Sequence, residues 1–123
     1  MKGNRGVARR FAGIGRADRV CTSVISEGEL LAGALRLGRE RRAELLELIE
    51  LMLNDMNEIV PVNREVASAY AELRADLERR GQTPSRNDAW IAATAMAYEF
   101  TLVAHDTDFQ RIHGLRLEDW YEV

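Results

Sequence analysis

The sequence predicts an α/β domain built on a small, mainly parallel sheet. Three observations predict it. Short β-prone segments alternate with longer helical stretches, the pattern of strand–helix–strand units. The helical stretches carry apolar residues at 3.6-residue spacing, so each has one face to bury. The 123 residues fit one domain, spanning 1–123. A chain of this size can bury about two thirds of its unfolded surface in a single core.

The elements follow in order. Residues 1–17 are basic and Gly-rich, and Val7, Phe11 and Ile14 fall at the spacing of a short helix. Residues 19–23 read as a buried strand. Residues 24–37 read as a helix with Ile25, Leu30, Leu31, Ala34 and Leu35 apolar, stopped by Gly38. Residues 40–56 give the clearest stripe, through Leu45, Leu48, Ile49, Met52 and Leu53. A strand is expected over 58–62. Asn63 then caps a helix carrying Val66, Ala69, Tyr70, Leu73 and Leu77. Residues 80–84 form a loop and residues 85–99 an Ala-rich helix. A strand at 100–104, a turn with a short helix at 105–114 and a last strand at 115–117 complete the chain.

Composition narrows the function classes. The net charge is −3 and the pI about 5.4, which argues against a surface coated for bulk nucleic-acid binding. All the cationic residues except Lys2 are Arg, and a local basic patch remains open. Cys21 is alone, so no internal disulfide forms and a reducing compartment is the natural home. One Cys and two His exclude a conventional structural zinc site. Residues 1–15 lack the apolar core of a signal peptide. The longest nearly apolar run, 89–98, is half of the roughly 20 residues a membrane span needs. The expectation is a cytoplasmic protein with no membrane role.

In parallel α/β sheets ligands collect beyond the carboxyl ends of the strands. The acids placed there are Glu29, Asp88 and Asp106. Each has a plain local reading. Ser26 and Glu29, and likewise Ser85 and Asp88, have the three-residue spacing of a capping box. Asp106 could cap a short helix. Together, three carboxylates on one sheet edge would repel one another, and a divalent cation relieves that. Hard oxygen donors suit Mg²⁺ or Mn²⁺. Glu27 lies two positions from Glu29, about 200° around a helix, and stays outside the site.

Three segments resemble the PIN-domain family, and VapC-type toxin ribonucleases in particular. Glu29-Leu30-Leu31-Ala32-Gly33 is similar to the family's Glu-Leu-x-x-Gly. Asn87-Asp88-Ala89-Trp90-Ile91-Ala92-Ala93-Thr94-Ala95 resembles its Asp-x-x-Ile-Ala-Ala-x-Ala helix. Thr101-Leu102-Val103-Ala104-His105-Asp106-Thr107-Asp108-Phe109 resembles its strand followed by Asp-x-Asp-Phe. The resemblance implies a PIN-like three-layer α/β/α fold. It implies a metal-dependent endoribonuclease of a toxin–antitoxin pair, with Glu29, Asp88 and Asp106 as catalytic and metal-holding acids. Asp108 is an optional further ligand, or else caps the helix before Phe109. The implied cofactor is Mg²⁺ or Mn²⁺. The implied partners are an RNA substrate, a cognate antitoxin and a second copy of the chain.

The sequence departs from the family in two places. No apolar strand ending in Asp precedes residue 19, so the first strand and first acid of the family are missing. By resemblance that strand is central, so its loss leaves unpaired edges and an incomplete metal cage. Ala104 stands where relatives carry Ser or Thr, which removes one hydroxyl. The alternative reading is therefore a catalytically inactive PIN remnant that binds the antitoxin or another partner. His105 and His113 read as incidental. Trp90 reads as core or dimer contact. The run Arg39–Arg42 reads as a solvated helix start.

Overall fold

A computed structural model describes residues 20–83 and 85–119, together with Arg5, Gly6 and Arg9. The helix expected through Val7, Phe11 and Ile14 lies outside the described residues. The first described strand, β1 (Cys21–Ser23), runs parallel to β2 (Glu58–Val60), pairing Cys21 with Glu58, Thr22 with Ile59 and Ser23 with Val60. One step before this ladder, the Asn57 backbone N–H donates to the Val20 carbonyl at 2.7 Å. The Val20 N–H donates in return to Asn57 Oδ1 at 2.6 Å.

Helix α1 (Val24–Leu35) follows β1 directly. Its N-cap is the buried Ser23, whose Oγ accepts from the Ser26 N–H at 3.0 Å. The expected Ser26–Glu29 capping box therefore does not start this helix. Ser26 already lies in the first turn, and Glu29 is left with no capping duty. Helix α2 (Arg39–Asn54) packs against α1 and buries Ile49. Gly38 does not stop α1 through a left-handed backbone. Its φ is −64° and ψ 161°, and it is the N-cap of α2; α1 ends earlier, on Arg36.

Helices α3 (Arg64–Arg79) and α4 (Arg86–Ala97) form the main packing unit. Asn63 caps α3 as expected, its Oδ1 accepting from the Val66 N–H at 2.9 Å. The Asn63 Nδ2 also donates to the Tyr98 hydroxyl at 3.3 Å, and that hydroxyl donates to the Pro61 carbonyl at 3.0 Å. This ties the start of α3 to the end of α4. Ser85 caps α4 through the Asp88 N–H at 3.1 Å. Ala89, Ala92, Ala93 and Ala95 are buried on α4. Such small side chains let α3 approach closely. Leu73 and Leu77 of α3 meet Ala89 and Ala92 of α4, and Phe109 and Ile112 close that core. Trp90 stacks on Tyr70 with centroids 3.7 Å apart, so it is a contact between these helices.

The chain leaves α4 through Glu99, a non-glycine residue at φ 59°. Its carbonyl accepts from the Arg116 guanidinium. That bond reaches the stretch leading into the last strand. Strand β3 (Leu102–Val103) pairs in parallel with β4 (Leu117–Glu118). A 3₁₀ segment, Thr107–Arg111, lies between them. The architecture is thus α/β with parallel pairing, as the sequence predicts. The expected single sheet is instead two two-stranded sheets, β1–β2 and β3–β4. Among the described residues no strand joins the two. No helix among them is long and apolar enough to cross a membrane.

Candidate metal centre

The first turn of α4 and the turn after β3 bring three acids together. Asp88 sits in the first turn of α4, its backbone N–H held by Ser85. Asp106 leaves β3 and caps the 3₁₀ segment, its Oδ1 accepting from the Asp108 N–H at 2.9 Å. Asp108 lies in that segment, 3.8 Å from Arg111 Nη1. The carboxylates of Asp88, Asp106 and Asp108 each offer an oxygen within 4.8 Å of the others. Asp88 and Asp108 are half-buried, whereas Asp106 is exposed. Ser85 and Asp106 are the caps here, and their bonds do not compete with the cluster. The caps fix the backbone, and the carboxylates still converge.

Glu29 is not part of that set. It lies on α1, exposed, and its Oε1 accepts from Asn87 Nδ2 at 2.7 Å. Asn87 precedes Asp88 in the chain, so Glu29 is tethered beside the cluster rather than inside it. Its charge is still felt there. Burial pushes the Asp88 carboxyl above its ordinary 3.8, and the Ser85 hydroxyl opposes the shift; the charges of Asp106, Glu29 and Asp108 then push it further up. This is the electrostatic strain of like charges sharing one site. A hard divalent cation relieves it, and carboxylate oxygens are the donors such a cation takes. The residues present therefore fit Mg²⁺ or Mn²⁺.

The other singled-out residues lie elsewhere. Glu27 is in the first turn of α1 and outside the acid set. His105 Nδ1 pairs with Asp119 Oδ2 at 2.9 Å. His113 Nδ1 stands 3.9 Å from Asp76 Oδ2. Ala104 packs, partly buried, against the core. Sequence reasoning assigned no role to Asn87 or Asp119. Asn87 stands next to a candidate acid inside a quoted motif, which was a signal; nothing in the sequence pointed to Asp119.

A family model described as the PIN domain matches residues 2–115. The chain belongs to the PIN-domain family. Relatives of this chain within that family include several VapC ribonucleases. This PIN domain is 30% identical over 115 residues to Ribonuclease VapC1 of Haemophilus influenzae, covering 93% of this chain and 84% of the relative. It superposes on the structure of VapBC-1 from nontypeable Haemophilus influenzae with a TM-score of 0.82 at 29% identity, over 94% of this chain and 85% of that one. It matches VapBC-5 of Mycobacterium tuberculosis, a member of the VapBC family of toxin–antitoxin systems, with a TM-score of 0.73 at 34% identity. There the match covers 85% of this chain and 83% of the other.

Proposed function

We propose that this PIN domain is a metal-dependent endoribonuclease toxin of the VapC type, acting on RNA in the cytoplasm. The observation that carries the reading is the set of three carboxylates within 4.8 Å at the end of β3, in a chain 30% identical to a named ribonuclease. Asp88, Asp106 and Asp108 would hold Mg²⁺ or Mn²⁺, with Glu29 at the rim. The cation would activate a water and offset charge on the phosphate during phosphodiester cleavage. The chain's own residues position rather than attack. Ser85 and Asp106 lock two short backbone turns, and the α3–α4 core keeps those turns in register. No nucleophilic side chain is required.

The proposed protein partner is a cognate antitoxin. Leu31 and Leu35 on α1 and Leu51 on α2 are large apolar residues left 36%, 57% and 59% exposed, which supports these helices as its docking face. A second copy of the chain is the proposed partner in a homodimer.

One observation favours a second reading, an inactive domain that still binds its partner. Glu29 lies outside the tight set. Mg²⁺ demands near-ideal geometry, so a cage with too few anionic ligands catalyses poorly. A cleavage assay on a mixed RNA pool with Mn²⁺, with EDTA and Asp106→Asn as controls, separates the two. Cleavage lost with both controls supports the nuclease. No cleavage from a protein that binds Mn²⁺ supports the inactive domain.

A further inference from the structure

The bond between Asn87 and Glu29 links residues 58 positions apart in the chain. It ties α1 to the first turn of α4, one residue from the Asp88 carboxylate. Both residues are exposed, and an exposed bond of this kind adds little net stability. The fold therefore does not need it. The acid cluster does have a use for it. Left alone, Glu29 is a long anion beside the Asp88 turn, bonded to the residue that precedes Asp88, and like charges favour its turning away. Asn87 counters this with a neutral donor. An Arg or Lys would grip the carboxylate more strongly, but its charge would cancel part of what attracts a cation. An amide anchors one oxygen and leaves the negative charge and the second oxygen available.

We propose that Asn87 is a positioning residue that holds the Glu29 carboxylate at the rim of the Asp88–Asp106–Asp108 set, so that Glu29 joins these acids around a divalent cation. This rests on the metal-site reading above and deepens it. Asn87 acts through Glu29 and does not itself touch the ion.

The test is Mn²⁺ binding to the whole chain, followed by electron paramagnetic resonance of the free ion, with the parent, Asn87→Ala, Glu29→Gln and the double variant. Asn87→Ala is expected to weaken Mn²⁺ binding about tenfold, the low end for removing a partner of a ligating group. Its metal-free melting temperature should stay within about 2 °C of the parent, as for other exposed substitutions. In the Glu29→Gln background the same change should cause no further loss, because the anion it served is gone. Unchanged affinity in Asn87→Ala overturns the proposal. So does an equal loss in both backgrounds, which would mean Asn87 acts by another route. Asp88→Asn distinguishes this failure from failure of the metal site. If Asp88→Asn abolishes binding, the site stands and only the role of Asn87 falls. If Asp88→Asn binds like the parent, both fall together.

Discussion

The Asp106 carboxylate accepts the backbone N–H of Asp108 at 2.9 Å, so one acid of the cluster holds another in place. Charge and capping can be separated here by substitution. Asp106→Asn keeps an acceptor for the Asp108 N–H and removes the charge. It should leave the metal-free melting temperature nearly unchanged and remove most of the stabilisation by Mn²⁺. Asp106→Ala loses both, and should cost a further ~1 kcal/mol, the usual worth of a cap. Differential scanning calorimetry with and without Mn²⁺ checks both variants. Equal metal responses in parent and Asp106→Asn would remove Asp106 from the centre.

Asp88 contributes a pH dependence that a substitution can isolate. Its carboxyl is held above the ordinary 3.8 by burial first and then by neighbouring acids. The folded state thus disfavours the ionised form. The resulting penalty is complete above the folded value, shrinks as pH falls through it, and vanishes below 3.8. Asp88→Asn should make the metal-free protein at least as stable as the parent at pH 7. The gain is limited by the lost first-turn charge, worth about 0.3–1 kcal/mol. Any advantage of the variant should fade on acidification. Melting curves from pH 7 to pH 3 check this; destabilisation at pH 7 with an intact metal response would leave Asp88 a cap only.

Asn63 joins two helices through one side chain, capping α3 and donating to Tyr98. Asn63→Ala should destabilise the domain by about 1–2 kcal/mol, a fall of several degrees in melting temperature. Tyr98→Phe should cost less, since the hydroxyl bonds it removes are exposed to water. The double variant should cost less than the sum, because the two share one bond. Urea denaturation of the four proteins measures the coupling, and strict additivity would contradict it.

Sedimentation at micromolar concentration checks assembly. Leu35 and Leu51 are large apolar residues left 57% and 59% exposed, and exposed apolar surface marks interaction sites. The expected species is a dimer or larger. A monomer across that range would contradict the proposed homodimer.

What the sequence determined by itself is local. Asn63 and Ser85 were readable as caps because each side chain reaches an N–H three residues away. The Ala-rich helix and the short apolar strands were readable from period and composition. The three motif segments singled out Glu29, Asp88, Asp106 and Asp108. The same local reading misjudged Gly38, because spacing alone cannot say whether a glycine ends one helix or begins the next. Only the tertiary structure decided which acids meet. Asp108 joins Asp88 and Asp106 within 4.8 Å, while Glu29 stays outside the set and bonds to Asn87. Those placements depend on how α4 stands against the turn after β3 and against α1. The stance of α4 against that turn is set by Leu73, Leu77, Ala89, Ala92 and Phe109 packing together, from positions too far apart in the chain for any spacing rule to connect. Ångström-scale convergence of charges is a property of close packing, and packing exists only once the chain has folded.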